Sequence, residues 1–202
     1  MRIAGRHIGI DSPPFIIAEM SGNHGGSLTR ALETVDAVAD SGADAIKLQT
    51  YTADTMTLDV DLPQFRVDDA QGLWGGRHLH DLYREAHTPW GWHEEIFARA
   101  AERGILAFSS PFDQTAVDLL VSLNVPALKI ASFEITDLPL IRQAASTGLP
   151  LIISTGMATR EEIAAAVTAA DGAFGLSAGA TRAFPEGRSP GCLFSLAPWG
   201  FP

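Results

Sequence analysis

The sequence predicts an α/β protein, a TIM-type (β/α)8 barrel of which the first five βα units are present. Three observations carry that reading. Short apolar runs alternate with longer segments whose apolar residues recur at i, i+3 and i+4, as strands separated by helices do. Strands joined through helices pair in parallel with right-handed crossovers, which leaves a barrel or an open doubly wound sheet. Polar groups at the C-terminal end of every run then select the barrel, whose working face is that ring of strand ends. The turn after the first run, SGNHGGS, is neither GxGxxG nor a P-loop, so the nucleotide fingerprint of an open sheet is missing.

Each element has a local reason. The opening RIAGRHIGI alternates like a strand, and its GR supplies the turn of a short hairpin that closes the bottom of the barrel. The strand runs are FIIAEM (15–20), DAIKLQT (44–50), ILAFSS (105–110), ALKIAS (127–132) and LIISTG (151–156). Helices are expected over 28–41, 90–103, 113–123, 137–147 and 159–170. Ser27, Asp113, Asp137 and Thr159 stand where N-caps belong, and Gly42, Gly104 and Gly148 near C-terminal ends. Residues 51–88 are too long for a βα loop and are expected to form a lid or substrate loop. The stretch 171–202, dense in glycine and proline, shows neither period. The barrel is therefore assigned to residues 1–170, and the tail is expected to hold neither a recognisable domain nor a sixth strand.

Composition excludes several classes of function. Among 202 residues, 14 basic against 24 acidic side chains give a net charge of −10, which disfavours nucleic-acid and membrane-surface partners that attract through phosphate. Cys192 is the single cysteine, so no internal disulfide forms and a reducing cytoplasm is the expected location. The N-terminus lacks the apolar core of a signal peptide, and no run is long enough to span a bilayer.

The sharpest chemical signals are Lys47 and Lys129. In IKLQT and LKIAS each lysine interrupts a strand whose neighbours are apolar, so alternation turns it to the face opposite Ile46 and Leu48, or Leu128 and Ile130. A buried ammonium is costly unless an anion satisfies it, and two lysines converging on one face suit a doubly anionic phosphate or carboxylate ligand. The plain alternative is a pair of internal salt bridges, for instance to Glu19 and Glu134. Glu19, at the end of the first run, either neutralises a lysine or meets substrate, and the two roles are compatible. Ser109 and Ser110, Ser132, and Ser154 with Thr155 offer hydroxyls suited to phosphate or carboxylate oxygens, and Gln49 ends its strand beside Lys47. Individually these serines are ordinary caps and turns. His24, beside glycines, could cap, meet a substrate hydroxyl or support a metal. His78, His80, His87 and His93 show no metal-ligand spacing and read as surface or packing residues, and Trp90 and Trp92 as packing at a helix start.

Taken in order, AEMSGNHGGSLTRALE, GADAIKLQTYTADTMTLD, LWGGRHLHDLYREAHTPWGWHEEIF, FSSPFD, VPALKIASFEITDLPLI and PLIISTGMAT resemble the sialic acid synthase family over roughly residues 1–168. LWGGxxLxxLYxxAxTPW points to its pseudaminic branch. The resemblance implies an aldolase-like barrel and a metal-dependent condensation of phosphoenolpyruvate with an N-acetylated amino-sugar aldehyde. The products are a nine-carbon ulosonic acid and phosphate. It implies that Lys47, Ser110, Lys129, Ser132 and Ser154 hold the phosphate and carboxylate of phosphoenolpyruvate. Gln49, Asn23 and His24 fall among the substrate contacts, and Glu19, Glu134 and Lys129 take the catalytic positions. Complete relatives are homodimers. The family motif NHNG or NHDG is here Asn23-His24-Gly25-Gly26, and PWEWH has become PWGWH at Gly91.

The family also implies a divalent ion, manganese or magnesium, held by two histidines on later strands. No histidine follows His93, so those ligands are not expected in this chain, which reads as C-terminally truncated or frame-shifted and as a poor catalyst. Two other classes stay open: a non-catalytic anion- or sugar-binding remnant, and a Schiff-base aldolase with Lys129 as nucleophile.

Overall fold

The computed structural model describes residues 2–9, 11–68, 72, 74–173 and 192–195. It opens on a hairpin of β1 (Arg2–Ile3) and β2 (Arg6–His7), paired Arg2 to His7 and Ile3 to Arg6. The expected Gly5–Arg6 turn is corrected to Ala4–Gly5, because Arg6 is already in the ladder. Both turn residues have positive φ, 47° and 81°, as a two-residue turn matched to the strand twist requires. Ile3 is fully buried against Ala45 and Phe108 of the sheet, and Arg6 pairs with Asp44 just before the second long strand. The hairpin therefore closes the N-terminal end of the sheet, as the sequence suggests.

Five parallel strands follow, curled into a half-barrel with helices packed against it: β3 (Ile17–Glu19), β4 (Ala45–Thr50), β5 (Leu106–Pro111), β6 (Leu128–Ile130) and β7 (Leu151–Ser154). A sixth strand, β8 (Cys192–Ser195), pairs in parallel with β7, Leu151 opposite Cys192 and Ser154 opposite Ser195. This corrects the expectation that 171–202 adds no strand. A run as short as CLFS between glycines and prolines carries no period to read. Strand order in space equals order in sequence, β3-β4-β5-β6-β7-β8.

The helices are α1 (Leu28–Asp40), α2 (Ala53–Met56), α3 (Leu79–Ala86), α4 (His93–Glu102), α5 (Gln114–Ser122), α6 (Leu138–Ser146) and α7 (Arg160–Ala173). Ser27, Asp113 and Asp137 accept N–H bonds at their N-termini as expected. Thr159 and Glu162 form a reciprocal capping box: the Glu162 N–H reaches Thr159 Oγ1 at 3.2 Å, and the Thr159 N–H reaches Glu162 Oε2 at 2.7 Å. The expected helix over 90–103 begins as a 3-10 turn at Trp90–Trp92 and becomes α-helical at His93.

The long segment after β4 folds on itself. It holds α2, a 3-10 turn at Pro63–Phe65, a bridge between Arg66 and His78, and α3. Thr55 Oγ1 donates to Asp113 Oδ2 at 2.6 Å and so ties α2 to the start of α5. No described helix is long and apolar enough to cross a membrane.

Candidate active site

Strand alternation builds the site. Ile46 and Leu48 are fully buried against Ala31 and Val35 of α1 and Ile96 and Ala100 of α4, so Lys47 between them turns to the opposite, concave face. Lys129 lies likewise between Leu128 and Ile130, which pack in the cluster containing Leu140, Ile141 and Ala144 of α6. Both lysines are thereby half-buried on one face of the sheet.

Their partners converge there too. Lys47 ion-pairs with Glu19, its register partner on β3, and its Nζ lies 3.5 Å from Ser110 Oγ. Lys129 Nζ donates to Ser154 Oγ at 2.6 Å and to the Ile130 carbonyl at 3.0 Å. Gln49 stands opposite Ser110 in the β4–β5 register. Ser132 lies at the end of β6 beside Gly156, where an added Cβ would come within 2.6 Å of the Ser132 Cβ; at φ +50°, only glycine lets these two loops meet.

Electrostatics show how tightly the groups are set. Burial, and then the neighbouring Lys47 ammonium, push the Lys129 amine down to about 8, with Glu19 and Glu134 pulling the other way. Burial holds the Glu134 carboxyl above its ordinary value despite Lys129, and its Oε2 is buried without a hydrogen-bond partner. Burial thus favours the neutral form of this carboxyl, the form that can give a proton to an oxygen placed beside it. The plain reading of the first lysine is therefore realised in the Glu19–Lys47 pair, while Lys129 has hydroxyl and carbonyl partners rather than a paired carboxylate.

Two expected contacts lie apart from this cluster. His24 is fully buried and both ring nitrogens are in use: Nδ1 accepts the Gly26 N–H at 3.1 Å, and Nε2 faces Thr88 Oγ1 at 3.2 Å. Its ring stands edge-on to Trp92 at 5.5 Å, and burial followed by His87 lowers its pKa. His24 holds the β3–α1 loop to the far end of the long insertion and presents no free nitrogen to a ligand. Asn23 is exposed in the same loop. Gly25 suits this turn because its φ is +54°, a backbone that side chains rarely adopt; a Cβ there would also displace the Arg30 guanidinium, whose Nη1 lies 2.5 Å away.

Three polar residues lie directly behind the site, of which the sequence reading had offered Ser109 as an anion contact and had left out Thr50 and His93. Thr50, Ser109 and His93 are all fully buried and joined, Thr50 Oγ1 to His93 Nε2 at 2.8 Å and to Ser109 Oγ at 2.6 Å. The signal was their pleat position, since Thr50 follows Gln49 and Ser109 precedes Ser110. Among the described residues, no group of three or more His, Cys, Asp or Glu is arranged to hold a metal ion. The described residues of the site, two lysines, hydroxyls and carboxylates without an imidazole among them, are not the histidine pair that the resemblance implies for a divalent ion.

Residues 34–182 match the NeuB family. The chain belongs to the NeuB family. Pseudaminic acid synthase of Campylobacter jejuni serotype O:2 is 48% identical over 153 residues, 76% of this chain and 44% of that protein. The pseudaminic acid synthase of Helicobacter pylori is 47% identical over 156 residues, 77% of this chain and 45% of that one. Among solved structures, the N-acetylneuraminic acid synthetase of Leptospira borgpetersenii in complex with citrate superposes with a TM-score of 0.74 at 31% identity. That match covers 86% of this chain and 55% of the other. This NeuB chain thus spans under half the length of the curated relatives it matches.

Proposed function

We propose that this chain carries the phosphoenolpyruvate-binding half of a synthase site. The reaction joins phosphoenolpyruvate to an N-acetylated amino-sugar aldehyde, yielding a nine-carbon ulosonic acid of the pseudaminic type and phosphate. One observation supports it above the rest: Lys47 and Lys129 share the concave face, each beside a strand-end hydroxyl, Ser110 or Ser154. A dianion between the two ammonium groups would accept charge-assisted bonds from both at once. Identity to pseudaminic acid synthases across three quarters of the chain supports the same reading, as does the fold shared with the finished barrel of the larger relatives. Homodimeric assembly belongs to it by the same resemblance, and a reducing cytoplasm by the single cysteine.

In this mechanism the lysines hold the phosphate and carboxylate while C3 of phosphoenolpyruvate attacks the aldehyde carbon. The protonated Glu134 gives its proton to the developing alkoxide. Positive character at C2 is then quenched by water, whose proton returns to the Glu134 carboxylate. Collapse of the tetrahedral centre breaks the C2–O bond, and the hydroxyl proton leaves with phosphate. Lys129 steadies the negative charge throughout.

Calorimetric titration of phosphoenolpyruvate into the 202-residue protein tests the proposal. Binding that is lost in both Lys47→Ala and Lys129→Ala supports it; no heat with the native chain would remove it. The depressed pKa of Lys129 favours one competing reading, imine formation with a ketone substrate. Borohydride trapping in the presence of pyruvate decides between them, because the synthase reaction leaves no adduct on Lys129.

A further inference from the structure

The anion site is a row of side chains on strand ends, and its geometry depends on how the C-terminal ends of β4 and β5 are held together. Beside the backbone ladder between these strands, a directed chain of hydrogen bonds joins the two ends on the reverse side of the pleat. His93 Nδ1 lies 3.4 Å from the Pro89 carbonyl, which can only accept, so Nδ1 carries the ring proton. Nε2 is then a lone pair and takes the Thr50 hydroxyl proton across 2.8 Å. With that proton committed, Thr50 Oγ1 can only accept from Ser109 Oγ, 2.6 Å away. The order of donation is Ser109 to Thr50 to His93 to Pro89, with no choice of direction left.

We infer that His93 is a positioning residue for the anion site: through Thr50 and Ser109 it fixes the strand ends that present Lys47, Gln49 and Ser110. The inference rests on the proposed function for the identity of the anion. Register makes the link short, since Gln49 pairs with Ser110 and each is one residue from a member of the chain, Thr50 or Ser109. Simple core filling does not account for the choice of residues. A fully buried histidine, threonine and serine exchange apolar packing for polar groups whose burial is favourable only when every bond is made. The imidazole is also tied to α4, standing edge-on to Phe97 at 5.8 Å, so helix, insertion end and two strands meet at one ring. Burial lowers the His93 pKa and keeps Nε2 available as an acceptor.

The test compares three variants of the full chain. His93→Phe keeps an aromatic ring against Phe97 but removes donor and acceptor. His93→Gln keeps one of each. Thr50→Val removes only the middle hydroxyl and guards against a misfolded His93 variant. Two readouts are taken on each: amide nitrogen–proton shifts of Lys47, Gln49 and Ser110, and phosphoenolpyruvate affinity by calorimetry. His93→Phe and Thr50→Val are expected to move those three amides and weaken binding roughly five- to tenfold, the scale of one lost neutral hydrogen bond. His93→Gln is expected to restore both. Unmoved amides in folded His93→Phe, or His93→Gln as impaired as His93→Phe, overturn the inference. A native protein that binds no phosphoenolpyruvate defeats the proposed function instead, and the amide shifts alone then decide the role of His93.

Discussion

At the scale of single residues, the concave face is governed by one ammonium group with a lowered pKa. Lys129 loses its proton near pH 8, so affinity for phosphoenolpyruvate should weaken as pH rises through that value. A calorimetric pH series checks this, and an affinity that climbs above pH 8 would contradict it. Truncation to Lys129→Ala removes two charge-assisted bonds and should cost roughly tenfold or more in affinity. The two buried imidazoles act on stability with a definite sign. His24 and His93 both have folded pKa values below the ordinary 6.5, so the unfolded chain takes up protons first. Stability is full above about pH 6.5 and declines as pH falls from there toward the folded values. The urea midpoint should therefore be lower at pH 5 than at pH 7; in a His93→Gln variant that difference should shrink.

At the scale of elements, the parts that were legible in the sequence are those with a strong local reason. Ser27, Asp113 and Asp137 cap the helices they were expected to cap. Lys47 and Lys129 were visible because each breaks an apolar strand, and alternation alone gives their direction. What was hidden depends on contacts across the fold. The Ser109–Thr50–His93 chain joins residues 43 and 59 positions apart, and no spacing rule reaches that far. Buried His24 looked like a ligand because its loop is polar, although its partners Thr88 and Trp92 come from the far end of a long insertion. β8 was missed because a run of four residues, CLFS, is too short to show a period. Two substitutions test the elements themselves. Thr159→Ala should remove the capping box of α7 at a cost of about 1 kcal/mol, a fall in Tm of roughly 2–4 °C for a chain of this size. Gly156→Ala should cost at least about 1 kcal/mol, from the left-handed backbone alone, before the clash with Ser132 is added.

At the scale of the whole molecule, the distribution of apolar surface stands out. Phe133, in the 3-10 turn after β6, and Met157, in the loop after β7, are 83% and 94% exposed, close in sequence to Ser132, Glu134 and Ser154. They contribute little to the fold, so Phe133→Ser with Met157→Ser should leave the urea midpoint within the range of neutral surface changes, about 0.5 kcal/mol, while reducing self-association in sedimentation experiments. A large loss of stability would mean that these side chains pack after all. The sheet itself has a different consequence. Because spatial order and chain order coincide from β3 to β8, each βα segment docks onto the one synthesised just before it, and the hairpin that closes the N-terminal end is made first. A chain leaving the ribosome could then build its core from one side, every new strand finding a template already in place and no early strand waiting for a late partner. Nascent chains arrested after α4, after α5 and after α6 should accordingly gain protease protection in steps rather than all at once.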